Sequence, residues 1–228
     1  MRTALVLLLG LALHRSGAQH LTHAEWARLA LTDVRLLPRY GDREKTPAQQ
    51  ASDREFLAAL RAVDSLPRSA SDRLVAHGFH YLKEGDLTKA MHRFNQAWLA
   101  DSSNAAAYWG FGAFFLELDQ PAMARLWLKR GLNRDSTRYE LLDLCAAALV
   151  GEAHLLGPGS AADGLVAEAA VLLERAIRLA PERSGAVCRL AAVRLARKEC
   201  ADARRLDADC NALGGTRLGQ RIDAACPP

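Results

Sequence analysis

The amino-acid sequence predicts an all-α protein, a helix-turn-helix solenoid with extra helices before it and a capping helix after it. Three observations carry this prediction. Gly78, Tyr81, Ala90, Phe94 and Ala97 are answered 34 residues later by Gly112, Phe115, Ala124, Leu128 and Gly131, and self-similarity at such a period marks a stacked array. Small residues recur at fixed places in each unit, with large apolar residues between them. Helix-start signals stand where helices are needed before the array. Half the residues are apolar and a quarter charged, too rich in Leu and Ala for a disordered chain. Length alone allows a single domain or one continuous array.

The first eighteen residues stand apart. Arg2 supplies a positive start, Ala4 to Leu13 is an unbroken apolar run, and Ser16 and Ala18 form the small pair of a cleavage site. That order is a secretory signal peptide, and the run is short of the roughly 20 residues that span a bilayer. The competing reading, a short N-terminal core helix, leaves the Ser-x-Ala ending unexplained. Removing residues 1–18 takes away Arg2 and Arg15 and no acid, so the formal net charge falls from +4 to about +2 with His neutral. No dense basic stripe with interleaved aromatics follows, and the footprint of a nucleic-acid binder is missing.

Residues 19–68 read as an N-terminal helical segment and linker. Thr22-His23-Ala24-Glu25 is a capping box, with Leu21 and Trp26 as its hydrophobic staple. Pro38-Arg39-Tyr40-Gly41-Asp42 is a turn. Thr46-Pro47-Ala48-Gln49 opens a second helix, with Pro at the first helical position, running from Ala48 to about Ser65. Its Phe56, Leu57, Leu60 and Val63 form one apolar stripe.

The array occupies 69–215. In its first unit, residues 71–104, Gly78, Ala90 and Ala97 are the small residues and Tyr81 and Phe94 the large ones. In the second, 105–138, Gly112, Ala124 and Gly131 answer them, with Phe115 and Leu128. Two antiparallel helices approach closely where side chains are small, and bulky residues fill the space on either side. Gly112 therefore admits the second helix, and Phe111 and Phe115 wrap the contact. Pro121 stands where the second helix of that unit opens.

This period and pattern resemble the tetratricopeptide repeat (TPR). The first two units match it well. The third starts near Tyr139 with Leu142, Cys145, Ala146 and Leu149, and resumes with Ala169, Leu173, Ala176 and Pro181. About 11 extra residues within 151–164 separate the two parts, an expected long loop that is either functional or merely mobile. The fourth, Ser184 to about Gly215, keeps Leu190, Ala191 and Ala203 but has Asp207 where a large apolar residue belongs. A degraded last unit suits the end of a solenoid. Residues 216–228 follow as capping helix and tail. PRYGDREKTPAQQ, followed by GFHYL, KAMHRFNQAW and AAYWGFGA, further resembles a group of exported bacterial TPR proteins whose function is unsettled.

Four of the five cysteines lie in the last 41 residues. After export such a cluster reads as disulfides, and hairpin geometry selects the partners. If the fourth unit turns near Glu199, Cys188 and Cys210 lie equally far from the turn. If the chain turns again at Gly214-Gly215, Cys226 folds back beside Cys200. Cys200 with Cys210 fails, because ten residues along a helix is about 15 Å. The expected bridges are Cys188–Cys210 and Cys200–Cys226, with Cys145 a buried free thiol. The alternative is reduced, buried cysteines; zinc lacks a C-x₂₋₄-C spacing.

No nucleophile elbow, Walker loop, zincin motif or dinucleotide fingerprint is present. His20 and His23 sit near the mature terminus. His77 and His80 share a helix, 77 at a packing position and 80 facing outward, and spacing places no third metal ligand beside them. The expectation is no enzyme, no cofactor and no metal.

The TPR resemblance implies a concave groove lined by the first helices. It carries Val75, Phe79, Leu82 and Lys83 from the first unit and Trp109, Ala113, Leu116 and Glu117 from the second. Asp72, Ala106, Glu140, Asp143, Ala147 and Val150 flank them. Groove positions that hold Lys and Asn in the carboxylate-binding members hold Val75, Phe79 and Ala113 here, so a carboxylate clamp is not expected. An apolar trough with charged edges remains, and such a patch is normally covered. A helical or extended partner segment fits it, as does the chain's own helix at 48–65. The functional expectation is an exported, non-enzymatic protein-interaction scaffold, periplasmic or secreted, with a protein or peptide partner. The alternatives are a structural part of a cell-envelope assembly, touching through its convex face and Trp127, and a metal-dependent protein using the His-bearing helices or residues 151–164.

Overall fold

The computed structural model describes residues 21–227; the expected signal peptide and His20 lie outside them. The described chain is all-helical. It runs α1 (His23–Ala30), two short 3-10 turns at Val34–Leu36 and Pro38–Asp42, and then α2 (Pro47–Val63). The array follows as α3 (Pro67–Lys83), α4 (Leu87–Ala100), α5 (Ala105–Glu117), α6 (Pro121–Leu132), α7 (Tyr139–Leu156), α8 (Ser160–Leu179), α9 (Ser184–Ala196) and α10 (Cys200–Ala212). The last helix is α11 (Gln220–Ala225). From α3 onward the helices pack as consecutive antiparallel pairs, each pair also touching the next.

The turns within the pairs repeat one device. The amides of Asp86, Gln120 and Glu199 donate to the carbonyls of Tyr81, Phe115 and Arg194 at 2.9, 2.8 and 2.9 Å, which closes each first helix with a left-handed residue just before the donor. That residue is Gly85 (φ 80°) in the first pair, but Asp119 (φ 54°) and Lys198 (φ 61°) in the second and fourth. A side chain in this conformation costs roughly 1–2 kcal/mol, so packing of the pairs, not local preference, sets those two turns.

The small positions do what their spacing predicts. A Cβ at Gly78 or Gly110 would overlap the Phe94 ring from either side, and one at Gly112 would overlap Leu128. Phe94, Tyr108, Phe111, Phe114, Phe115 and Leu128 are all fully buried. One aromatic of α4 is thus clamped between two glycines of neighbouring first helices.

Four expectations need correction. The extra residues of the third unit are not a loop: they lengthen both helices, and only Gly157, Pro158 and Gly159 connect α7 to α8. Ala153 and Ala162 are buried near this tip, and Leu165 and Val166 pack on the core, so the segment continues an apolar helical face. The capping helix begins at Gln220 rather than near 216. Asp207 accepts from the amide of Leu218 at 2.6 Å and from Arg217 at 3.3 Å, which holds 217–218 in a non-helical strap. The stripe on α2 is looser than read: no residue of α2 is buried, and Val63 is 84% exposed. His77 is exposed, not packed.

The bridges Cys188–Cys210 and Cys200–Cys226 form, with Cα separations of 5.0 and 5.7 Å, and Cys145 is a buried free thiol. Burial pushes that thiol up to about 12, which keeps it protonated and inert.

Candidate functional site

The groove residues come from adjacent first helices. Phe79 of α3 and Trp109 of α5 meet face on face, with ring centroids 3.9 Å apart and planes tilted 36°. Phe79 also meets the Phe94 ring edge-on at 5.2 Å. Val75 and Ala113 are buried; Phe79, Leu82, Trp109 and Leu116 are half-buried; Lys83 and Glu117 are exposed. The trough therefore partly fills itself, Val75 forming a floor that the stacked rings cover. Lys83 and Glu117 join no ion pair among the described residues. Phe56 and Leu60 of α2 reach the edge cluster of Leu74, Val75, Ala97, Ala106 and Ala107.

The two ends of the groove differ. Toward α3, Asn104 is fully buried and its Nδ2 donates to Ser71 Oγ and to Asp72 Oδ1, both at 2.8 Å, while Ser71 donates to the carbonyl of Ala97. Toward α7, the carboxylates expected to line the groove are already engaged. Arg189 grips Asp143 with two bonds of 2.8 and 3.0 Å, and Arg183 donates to Glu140 at 2.8 Å. Desolvation works to raise the Glu140 carboxyl, but a backbone amide and Arg183 outweigh it and hold the group below its ordinary value. The repeat register puts these acids on the groove, but their partners, Arg189 of α9 and Arg183 just before it, come from a later pair.

A second feature had no signal in the sequence beyond the PRYGD turn. A cavity of about 730 Å³ lies between the N-terminal turns, α2 and α4, lined among others by Tyr40, Lys45, Gln49, Phe56, Gln96 and Leu99. Its wall is built from a short left-handed run: Arg39, Tyr40, Gly41 and Asp42 all have φ between 53 and 69°. What holds this costly backbone is α4. Asn95, fully buried, donates to the carbonyls of Arg35 and Leu37 at 2.7 and 2.9 Å, and Trp26 donates to Leu36 at 3.0 Å while its ring sits edge-on to Phe115 at 5.3 Å. Burial, and then the charge of Asp53, push the Tyr40 phenol above its ordinary range. Most cavity charges pair internally: Arg35 with Asp33, and Lys45 with Asp53 while also lying over the Tyr40 ring. The residual lining is Arg43, Glu44 and hydroxyl, amide and apolar groups.

Other candidates are not drawn together. His80 lies 3.2 Å from Glu84 on its own helix. His23 packs on Trp26 at 5.4 Å. Trp127, expected on the convex face, is only 6% exposed, under Arg130. No described helix is long and apolar enough to cross a membrane.

No family model and no curated protein matches this chain. Among solved structures it is similar to one titled "Functional Characterization of Pseudomonas Aeruginosa pilF", at 20% identity and a TM-score of 0.36, covering 69% of this chain and 85% of that one. A likeness that distant carries no argument about function. The chain's own helices, paired in series with small residues at the crossings, make the fold a TPR-like helical repeat.

Proposed function

We propose that the protein is an exported, non-enzymatic scaffold that binds a helical or extended segment of a partner protein along the trough of its first helices. The observation that carries this reading is the Phe79–Trp109 stack: two large rings left half-exposed on adjacent helices, with Lys83 and Glu117 unengaged at its rim. Half-buried aromatics beside free charges are the anchor-and-rim pattern of a protein interface. Two disulfides support an oxidising compartment, periplasmic or extracellular.

The test is retention of a partner from an envelope extract by the mature chain and by its Phe79→Glu/Trp109→Glu variant. A partner held by the first and lost by the second, with an unchanged melting curve, supports trough binding. Equal retention by both sinks it and favours the envelope-assembly reading, in which the convex side makes the contacts.

A further inference from the structure

The outward side of the α7–α8 hairpin is apolar in a patterned way. Leu155, Leu156, Val171 and Leu179 are 70, 59, 61 and 45% exposed. The hairpin also overhangs its neighbours. α7 and α8 have 18 and 20 residues, against 13 and 12 in α5 and α6, which projects the tip by roughly 8 Å. Its shaft is braced on α6, Arg125 gripping Glu152 at 2.6 and 3.0 Å and Lys129 meeting Glu168 at 2.7 Å. Leu156 and Leu179 lie near opposite ends of the hairpin, and a rigid helix of about 30 Å prevents one from covering the other within a chain.

We propose that the occupant of this face is a second copy of the chain, α8 packing antiparallel on α8 about a two-fold axis beside Ala167 and Glu168. That register sets position 164 opposite 171 and position 160, at the tip, opposite 175. Gly164 has open space where a side chain would stand, so Val171 of the other copy fits over it. Ala167, small and exposed, permits close approach at the axis. Each Glu168 there is already neutralised by its own Lys129. A self-complementary patch of this kind is what a two-fold interface requires.

Charge selects the same arrangement. The chain has no Lys or Arg between Arg138 and Arg175, so the tip carries acids such as Asp163 with no lysine or arginine beside them. Arg175 and Arg178 lie at the far end of α8 and join none of the ion pairs among the described residues. The antiparallel register brings the acidic end of one copy to the basic end of the other. A tip without cations is poorly suited to an anionic lipid surface. The dimer leaves both troughs free and makes the scaffold bivalent.

The experiment is light scattering coupled to size exclusion, and sedimentation equilibrium, on the full mature chain across the micromolar range. The expected result is twice the chain mass. Val171→Glu weakens the dimer by at least about tenfold, roughly 1.4 kcal/mol, with an unchanged melting curve, while Leu126→Glu on exposed α6 surface leaves it intact. Under oxidation the Gly164→Cys/Val171→Cys variant runs as a cross-linked dimer and Gly164→Cys alone does not. A monomer at every concentration, a dimer indifferent to Val171→Glu, or cross-linking by the single variant overturns the proposal.

Discussion

The first two helix pairs and the last one solve the same packing problem with different materials. α3 to α6 bury Tyr108, Phe94, Phe111, Phe114 and Phe115 completely. After Tyr139 the chain has no aromatic residue at all, and α9, α10 and α11 close over Ala186, Ala191, Ala203, Leu190 and Ile222 with two disulfides. Aromatic side chains bury large areas and carry much of a core's energy. Where they are missing, cross-links that restrict the unfolded chain take over part of the task. Even polarity is handled differently: Ser71 and Asn104 satisfy each other between repeats in the first region, whereas Asp207 in the last region anchors the strap to α11.

The contrast can be broken at either end. The largest effect is expected from Phe94→Ala, which empties the space between Gly78 and Gly110 and costs about 3–5 kcal/mol; chemical denaturation of the whole array measures it. Removing one bridge with Cys188→Ser/Cys210→Ser is expected to cost about 2–4 kcal/mol. Hydrogen exchange gives the sharper readout there: faster exchange in α9 to α11, with α3 to α6 unchanged, upholds the division of labour, and uniform acceleration refutes it. Asp207→Ala strands the partly buried amide of Leu218, at about 1–3 kcal/mol, and should free the 216–219 strap to proteolysis before any other segment.

The smallest effect concerns His92 in the aromatic half. Burial, then Arg35, depresses its imidazole below 6.5 despite Asp33 at 3.6 Å. A depressed histidine is neutral in the fold, so stability is full above about pH 6.5 and declines as pH falls below it, because the unfolded chain takes up the proton first. Melting temperatures at pH 7.5 and 5.5 should therefore differ less in His92→Gln than in the parent, and an equal difference in both would remove His92 from the account.

Much of the repeat was legible because its code is local. A glycine at position 78 and a phenylalanine at 94 belong to one hairpin, and the 34-residue period repeats the relation. The disulfide partners were legible for a related reason: a helix rises at a fixed rate, so distance from a turn decides who meets. The extended α7–α8 hairpin was missed because Gly151, Gly157, Gly159 and Gly164 read as loop residues. Pairing of two long helices overrides that preference, and Gly151 itself packs against Pro121. The groove was legible only in part: its residues followed from the repeat register, but the arginines that close Glu140 and Asp143 come from more than 40 residues away.

The sequence by itself determined the helical repeat, the small residues at its crossings, the cap signals of α1 and α2, and which cysteines could face each other. These depend on periodicity and helix geometry within a few turns of chain. Tertiary structure alone decided how residues 26–42 wrap α4, why four successive residues accept left-handed backbone there, and where the cavity beside Tyr40 opens. Those outcomes rest on Asn95 reaching the carbonyls of Arg35 and Leu37 and on Trp26 meeting Phe115. Contacts across 58 to 89 residues leave no local pattern, since either partner alone is an ordinary polar or aromatic side chain until the fold brings them together.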